Sequence, residues 1–382
     1  MAKIVIVTLY WESIGGIEGV VRDTARSYTR MGWEVDVVSV FDIRRTWVED
    51  GVCVRALSPR FHVARVLWHR LLWVRSVAQL LQATYPPGTP LVFAHVILLQ
   101  VIARLHSLYR AASMCWTYGI EVWGEAGRPY VTALNDCGGV LTISRFTAGE
   151  LYLIGVRERV TVIPCAVDTA FFTPGVKQPE LASDVMICGR MSQAEQYKGH
   201  DILLESIAQL QVRRQSSIRL RVVGGGDDLP RLREKAKRLG LGDSVTFAGR
   251  VSSDELVRSY RSCRCFCMPS RVDRMVGRLA TGEGFGIVYI EAAACGRPVI
   301  ASNEGGAAET VHPGKSGILV NPRSTSEITA AIATMLDSPS QAEVMGKAGR
   351  TFVCENFGLD RFDDRLKTAT TMIINRSGSM LR

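Results

Sequence analysis

The sequence predicts an α/β protein of two domains, each built on an open parallel sheet. Three observations carry that expectation. Short, β-branched apolar runs alternate with amphipathic stretches along the chain. The alternation begins at the N-terminus and restarts near Asp184. The chain has 382 residues, and at about 100–200 residues per domain that length suggests two domains.

Composition agrees. With 47% hydrophobic and 22% charged residues the chain can bury real cores, which excludes disorder, collagen and coiled coil. Ten Cys in this length are too dilute for a disulfide scaffold.

Taken in order, Lys3–Leu9 reads as a buried first strand and not as a signal peptide, since Trp11 and Glu12 soon follow. Glu18–Met31 reads as a helix and Glu34–Val40 as a strand, and strand–helix–strand at that spacing implies parallel pairing. The longest apolar run, Leu91–Ala103, contains His95 and Gln100 and falls short of the about 20 residues a membrane span needs. The chain is therefore expected in the cytoplasm, with its thiols reduced. Pro164, Pro174 and Gly175 mark a linker between the two runs.

In the second run the expected strands are Val185–Cys188, Ile218–Val223, Val245–Ala248, Cys263–Met268, Pro298–Ala301 and Ile318–Val320. The helices between them are His200–Arg213, Leu229–Leu239, Asp254–Arg261 and Ile287–Ala294. Cys263, Cys265 and Cys267 alternate and so share one face of a strand. A zinc site would need four ligands, and no second Cys or His pair lies nearby, so no metal site is expected. Two such sheets joined by a linker offer a cleft at the carboxyl ends of their strands, where α/β sheets bind ligands.

The most informative segment runs from Gly282 through Glu283, Gly284, Phe285, Gly286, Ile287, Val288, Tyr289 and Ile290 to Glu291. Two glycines flank Phe285 just before a helix start, whose unpaired N–H groups and positive dipole end attract anions. Glycine lets the backbone approach a phosphate closely. Glu283 and Glu291 stand eight residues apart, and carboxylates accept two hydrogen bonds each from sugar or ribose hydroxyls. A phosphate between two hydroxylated groups describes a nucleotide-sugar. A solvated Glu beside a tight strand–helix turn would explain either residue alone. Here the pair continues through Ala292-Ala293-Ala294-Cys295-Gly296 to Gly305-Gly306-Ala307-Ala308-Glu309.

On those residues the sequence resembles the retaining nucleotide-sugar glycosyltransferases of family 4 (glycosyl transferases group 1), which have the GT-B fold of two Rossmann-like domains facing across a cleft. The likeness covers nearly the whole chain and is strongest from Asp184 to Val320. It implies an N-terminal domain 1–168, completed by the C-terminal helix 357–382, and a donor-binding domain 169–356. It implies that Glu291 binds the ribose hydroxyls and Glu283 the transferred sugar. The amides of Phe285, Gly286, Ile287 and Val288 would face the sugar and the diphosphate. Arg190 and Lys198 resemble the family's cation pair on the diphosphate, where two fixed charges offset the charge building on the leaving group without a metal ion. Arg250 and Val251 stand where the family contacts the base. Gly15 and Gly16 resemble its glycine loop near the diphosphate and acceptor, although Gly-Gly at such a junction is also an ordinary turn. Gly224-Gly225-Gly226 is read as turn chemistry.

Tyr118 departs from the family, which often has His there. With a pKa of about 10 a Tyr is a poor base near neutrality, so its expected role is to hold the donor sugar through its hydroxyl. The family expectation is front-face attack, with the leaving phosphate taking the acceptor proton. The implied activity is transfer of a hexose from a GDP- or UDP-sugar to a lipid-linked glycan acceptor. A nucleotide-sugar epimerase of the same fold and a non-catalytic sugar-nucleotide binder are the rivals.

Charge is unevenly placed. Of the net +9, the acid-free stretch Gly51–Ile120 carries seven Arg, together with four of the six His. Within residues 60–75, Arg60, Arg65, Arg70 and Arg75 interleave with Phe61, Trp68 and Trp73, a mixture suited to an anionic membrane surface. The five-residue Arg spacing turns about 140° per step on a helix, so the Arg residues form no single stripe, and a helix burying its Trp and Leu face is the competing explanation. No nucleic-acid module is visible.

Overall fold

A computed structural model describes residues 2–13, 15–42, 46–57, 70–157, 159–176, 178–274 and 279–379. The chain divides into two compact units, Met1–Ala166 with Asp360–Arg382, and Val167–Leu359.

In the first unit the strands and helices follow as β1 (Lys3–Thr8), α1 (Gly16–Arg30), β2 (Glu34–Ser39), β3 (Thr46–Glu49), β4 (Val52–Ala56), α2 (Arg70–Thr84), β5 (Leu91–Phe93), α3 (Ser107–Ala111), β6 (Ser113–Thr117), α4 (Val131–Asp136), β7 (Gly139–Thr142), α5 (Arg145–Leu153) and β8 (Val160–Val162). They form an eight-stranded sheet ordered β3-β4-β2-β1-β5-β6-β7-β8. Every pairing is parallel except β3 on β4. β1 is apolar at consecutive positions because helices cover a parallel sheet on both faces, and Ile4 through Val7 are fully buried. α1 turns Val20, Val21, Thr24, Ala25 and Tyr28 inward, the spacing of a single helix face.

The second unit contains β9 (Ser183–Cys188), α6 (His200–Arg214), β10 (Leu220–Val223), α7 (Leu229–Arg238), β11 (Val245–Gly249), α8 (Ser253–Ser262), β12 (Cys263–Met268), α9 (Ile287–Ala294), β13 (Val299–Ser302), β14 (Gly317–Val320), α10 (Thr325–Asp337) and α11 (Pro339–Phe357). Its sheet is parallel throughout, ordered β11-β10-β9-β12-β13-β14. Strand order reverses between β9 and β12, which is where a doubly wound sheet leaves a crevice beyond its strand ends. Cys263, Cys265 and Cys267 are wholly buried in β12, between β9 and β13.

The last helix, α12 (Leu359–Ser379), packs on the first unit. Phe362 stacks on Trp116 with ring centroids 6.1 Å apart, Asp363 pairs with Arg30 at 2.6 Å, and Thr370 shares a 2.7 Å hydrogen bond with Tyr28.

The boundary between the two units falls at Ala166/Val167, inside the Pro/Gly segment expected as a linker. The segment is packed: Ile163, Cys165 and Val167 are buried, Val167 N–H donates to the Phe357 carbonyl, and Arg350 holds the carbonyls of Thr169 and Phe172. One expectation needs correction. The membrane-facing stretch 60–75 lies largely outside the described residues, but Trp73 does not. It is buried, edge-on to Phe41 at 6.3 Å, because α2 lays that face inward, so this Trp is spent on the core and not on lipid headgroups. Arg75 is exposed.

Candidate functional site

β9 ends at Cys188, and the chain passes through Gly189 to Arg190. The glycine run after β10 decides how closely this turn is held. A Cβ on Gly224 would lie 2.1 Å from the Gly189 oxygen, and one on Gly226 would lie 1.9 Å from the Met191 oxygen. Met191 N–H donates to the Gly225 carbonyl at 3.0 Å. The three glycines therefore let two backbones touch and fix where Arg190 emerges. The Arg190 side chain is exposed and pairs with Glu195 at 3.2 Å. The second oxygen of Glu195 is buried and has no hydrogen-bond partner among the described residues.

Lys198 closes the short 3₁₀ turn 193–198, and Gly199 then opens α6 in the left-handed region at φ +84°. A Cβ on Gly199 would meet the Pro269 carbonyl at 2.3 Å, so only glycine lets the turn seat against the end of β12. The seating brings the Lys198 ammonium to 3.1 Å from Glu283 Oε2, with both side chains mostly buried. Burial works most strongly against the ammonium, but Glu283, Tyr197 and Glu195 together more than offset it and hold the Lys198 pKa above its ordinary value. His200 is buried next to this pair, and burial reinforced by the Lys198 charge lowers its pKa to about 4, so it stays neutral.

Glu283 and Gly284 are held from behind by Gly305 and Gly306. Gly306 N–H donates to the Glu283 carbonyl at 3.1 Å, and a Cβ on Gly306 would lie 1.9 Å from the Gly284 oxygen. Phe285 is buried, packed edge-on against Phe357. Gly286 caps α9 at φ +89°, and no side chain caps that end, so the first amides of the helix remain open to an anion. One turn and a half further on, Glu291 accepts a 2.9 Å hydrogen bond from the buried Tyr260 hydroxyl. Burial raises the Glu291 pKa to about 7. Burial and the Glu291 charge together push the neighbouring Cys188 thiol up to about 12, which places the acid beside the end of β9.

Arg190, Lys198, Glu283, the start of α9 and Glu291 thus share the carboxyl ends of β9 and β12. Arg250 and Val251 follow β11, the outermost strand, and Arg250 reaches back so that its Cγ would lie 3.4 Å from a Cβ on Gly225.

The remaining sequence-predicted residues belong to the first unit. Gly15 is the extended residue before α1, and a Cβ there would collide with the Glu18 carboxylate at 2.3 Å, whereas Gly16 has nothing within 4 Å. Tyr118 is buried, stacked on Trp116, and donates its one hydroxyl proton to the Ala94 carbonyl at 2.9 Å. Burial holds its pKa well above 10. The expectation that this proton reaches the donor sugar meets a competing partner: the structure spends it on tying the end of β6 to that of β5. Glu121 accepts from Tyr118 N–H, and His95 Nδ1 accepts from Ile97 N–H at 3.2 Å. Tyr118→Phe is expected to cost about 1–2 kcal/mol of stability by leaving a buried carbonyl unpaired. Urea unfolding of the whole chain measures this. Lost turnover at unchanged stability would restore the sugar-holding role.

Sequence reasoning missed Tyr260, Glu195 and His200. Tyr260 carried no signal, being one aromatic of an amphipathic helix. Glu195 could have been found, since it lies between the two cations at a spacing that permits pairing.

Comparison with known proteins adds the following. Residues 14–171 match the family described as Glycosyltransferase Family 4, and residues 177–352 match Glycosyl transferases group 1. The GDP-mannose-dependent alpha-(1-6)-phosphatidylinositol monomannoside mannosyltransferase of Mycobacterium tuberculosis H37Rv is 34% identical over 284 residues, 72% of this chain and 72% of that protein. Its Mycolicibacterium smegmatis counterpart is 34% identical over 63% of this chain, and the match spans 65% of that relative's own length. Among solved structures, sucrose-phosphate synthase from Thermosynechococcus elongatus superposes with a TM-score of 0.79 at 21% identity, covering 96% of this chain and 98% of that one. Anabaena Alr3699/HepE in complex with UDP and glucose gives 0.76 at 20% identity, covering 97% and 100%. At these identities the structural likeness establishes the two-domain GT-B fold and nothing finer.

Proposed function

The chain belongs to the group 1 (family 4) glycosyltransferases, and from that membership we propose that it moves a hexose, with retention, from a nucleoside-diphosphate sugar to a hydroxyl of a lipid-linked acceptor. One observation carries the reading. Lys198 and Glu283, 85 residues apart in sequence, meet at 3.1 Å beside the uncapped start of α9. That spot offers a fixed cation and open amides for a diphosphate, and a carboxylate for sugar hydroxyls.

In the proposed step the bond between the anomeric carbon and the leaving phosphate oxygen breaks, and a glycosidic bond forms on the same face. The acceptor proton passes to the departing diphosphate. Lys198, Arg190 and the amides of Phe285 to Val288 stabilise the charge that develops there, so the step calls for no metal ion. Arg190 must exchange Glu195 for phosphate as the donor enters. Glu283 orients the sugar and Glu291 the ribose. Arg250 with Val251 meets the base. Tyr118 acts through the loop it ties down.

The names of the relatives support GDP-mannose as the first donor to try and a phosphatidylinositol glycolipid as the first acceptor. An acceptor of that kind suits work at the cytoplasmic membrane surface. The described helices include none long and apolar enough to cross a membrane. The test incubates the chain with GDP-mannose or UDP-glucose, with and without a phosphatidylinositol mannoside. Transfer that requires acceptor supports the proposal. Conversion of the donor alone to an isomer identifies an epimerase, and donor binding without turnover identifies a non-catalytic binder.

Glu291 adds a pH dependence. Its carboxylate accepts two ribose hydroxyls only when ionised, and burial raises its pKa to about 7. Protonation as pH falls through 7 removes an acceptor, so donor Kd is expected to rise by up to about tenfold per pH unit below that point. Titration calorimetry between pH 5.5 and 8.5, at values chosen about 1 unit to either side of the carboxyl's midpoint, shows this. Glu291→Gln should bind weakly and without that slope.

A further inference from the structure

At the opposite end of the second sheet, beyond the amino ends of β12 and β13, lies a groove of about 860 Å³. That is within the roughly 300–1,000 Å³ usual for small-molecule sites. Arg264, Arg297, Lys347 and Arg350 line it, against the single acid Glu343.

The state of these cations is the telling feature. Arg350 is half-buried and donates to the carbonyls of Phe172, Ala294 and Thr169 at 2.6, 2.7 and 2.9 Å. Arg297, also half-buried, donates to those of Cys263 and Cys295 at 3.3 and 3.4 Å. Among the described residues, none of these hydrogen bonds goes to a carboxylate. Carbonyls satisfy the N–H groups but cancel no charge, and a partly desolvated charge without a counter-ion is costly. Lys347 pairs with Glu343 at 2.8 Å, but both are largely exposed, and such an i,i+4 pair is worth little and exchanges readily. Arg264 is half exposed and touches Asp184 at 3.3 Å. The 19-residue helix α11 also begins at the groove, with no side chain capping its N-terminus and no acid in its first turn.

We propose that this groove binds a compact diphosphate, held by Arg264, Arg297 and Lys347 and by the positive field of Arg350. Planar guanidinium groups and an ammonium around a concave surface suit phosphate oxygens. Free pyrophosphate and the diphosphate of a nucleotide share that chemistry. The site lies at the other end of the sheet from Lys198 and Glu283, and it stands independently of the function proposed above.

The test is calorimetric titration of the full chain with sodium pyrophosphate at constant ionic strength, repeated with GDP. Arg264→Gln/Lys347→Gln alters exposed side chains and spares Arg350, whose bonds hold the fold together. This double variant is expected to weaken one pyrophosphate event by about tenfold or more. Lys198→Gln should leave that event in place. Unchanged affinity and stoichiometry in the double variant overturn the proposal, as does wild-type binding that Lys198→Gln removes entirely. Loss of that event in the double variant, with the event retained in Lys198→Gln, supports the groove and leaves the donor-site reading to its own test. GDP filling the groove as tightly as pyrophosphate assigns the nucleotide as the source, and pyrophosphate alone assigns the free anion.

Discussion

Lys198→Gln is expected to lower the transfer rate by about 10²–10³-fold, the usual consequence of removing one charge-stabilising group from a transition state. The ammonium is fixed before substrate arrives: the turn 193–198 seats it against β12, and Glu283 holds it at 3.1 Å. A pre-positioned charge reorganises little during the reaction, which is why its loss should appear in kcat more than in donor KM. The substitution also strips Glu283 of its cation. Removing one partner of a fully buried pair costs about 3–5 kcal/mol, and the partial exposure of this one should reduce that. Urea unfolding of the variant separates the two effects. Activity within a factor of about three of the parent would remove Lys198 from the mechanism, since so small a change is worth under 1 kcal/mol.

Gly306→Ala is the second large effect. A Cβ there would lie 1.9 Å from the Gly284 oxygen, 2.5 Å from its carbon and 2.9 Å from Phe285 Cα. All three are backbone atoms, so no side chain can swing aside. The loop carrying Glu283 and the open end of α9 must move. Overpacking of this kind costs about 1–3 kcal/mol of stability. Moving the phosphate-facing amides should weaken donor binding by about tenfold or more, where each tenfold is about 1.4 kcal/mol. Gly19→Ala in α1, where a Cβ meets nothing within 4 Å, is the matched control and should be silent. Donor Kd measured on both variants decides the matter, and equal values would mean that the loop tolerates displacement.

These two residues show how differently the parts of the site could be read. Gly305 and Gly306 are visible in the sequence as the tail of a motif, but their work as a backstop for Glu283 and Gly284 is invisible there, because it depends on two loops from different strands arriving at one place. The strands themselves were legible. Cys263–Met268 and Ile287–Ala294 stand as expected, and most other boundaries moved by one or two residues. Trp73 misled because a helix mixing Arg and Trp has the same composition whether its aromatic side faces lipid or a sheet.

By itself the sequence determined the alternation of strand and helix, the parallel pairing that such alternation enforces, and the glycine-flanked helix start with its two acids. All of these are local, written in the period of apolar residues and in backbone freedom at named positions. Only the tertiary structure decided which polar groups meet. It gave Lys198 to Glu283, Arg190 to Glu195, Tyr260 to Glu291 and the Tyr118 proton to Ala94. Each group could form the same bond with many partners, and the partner it finds depends on which strand ends the folded sheet sets side by side.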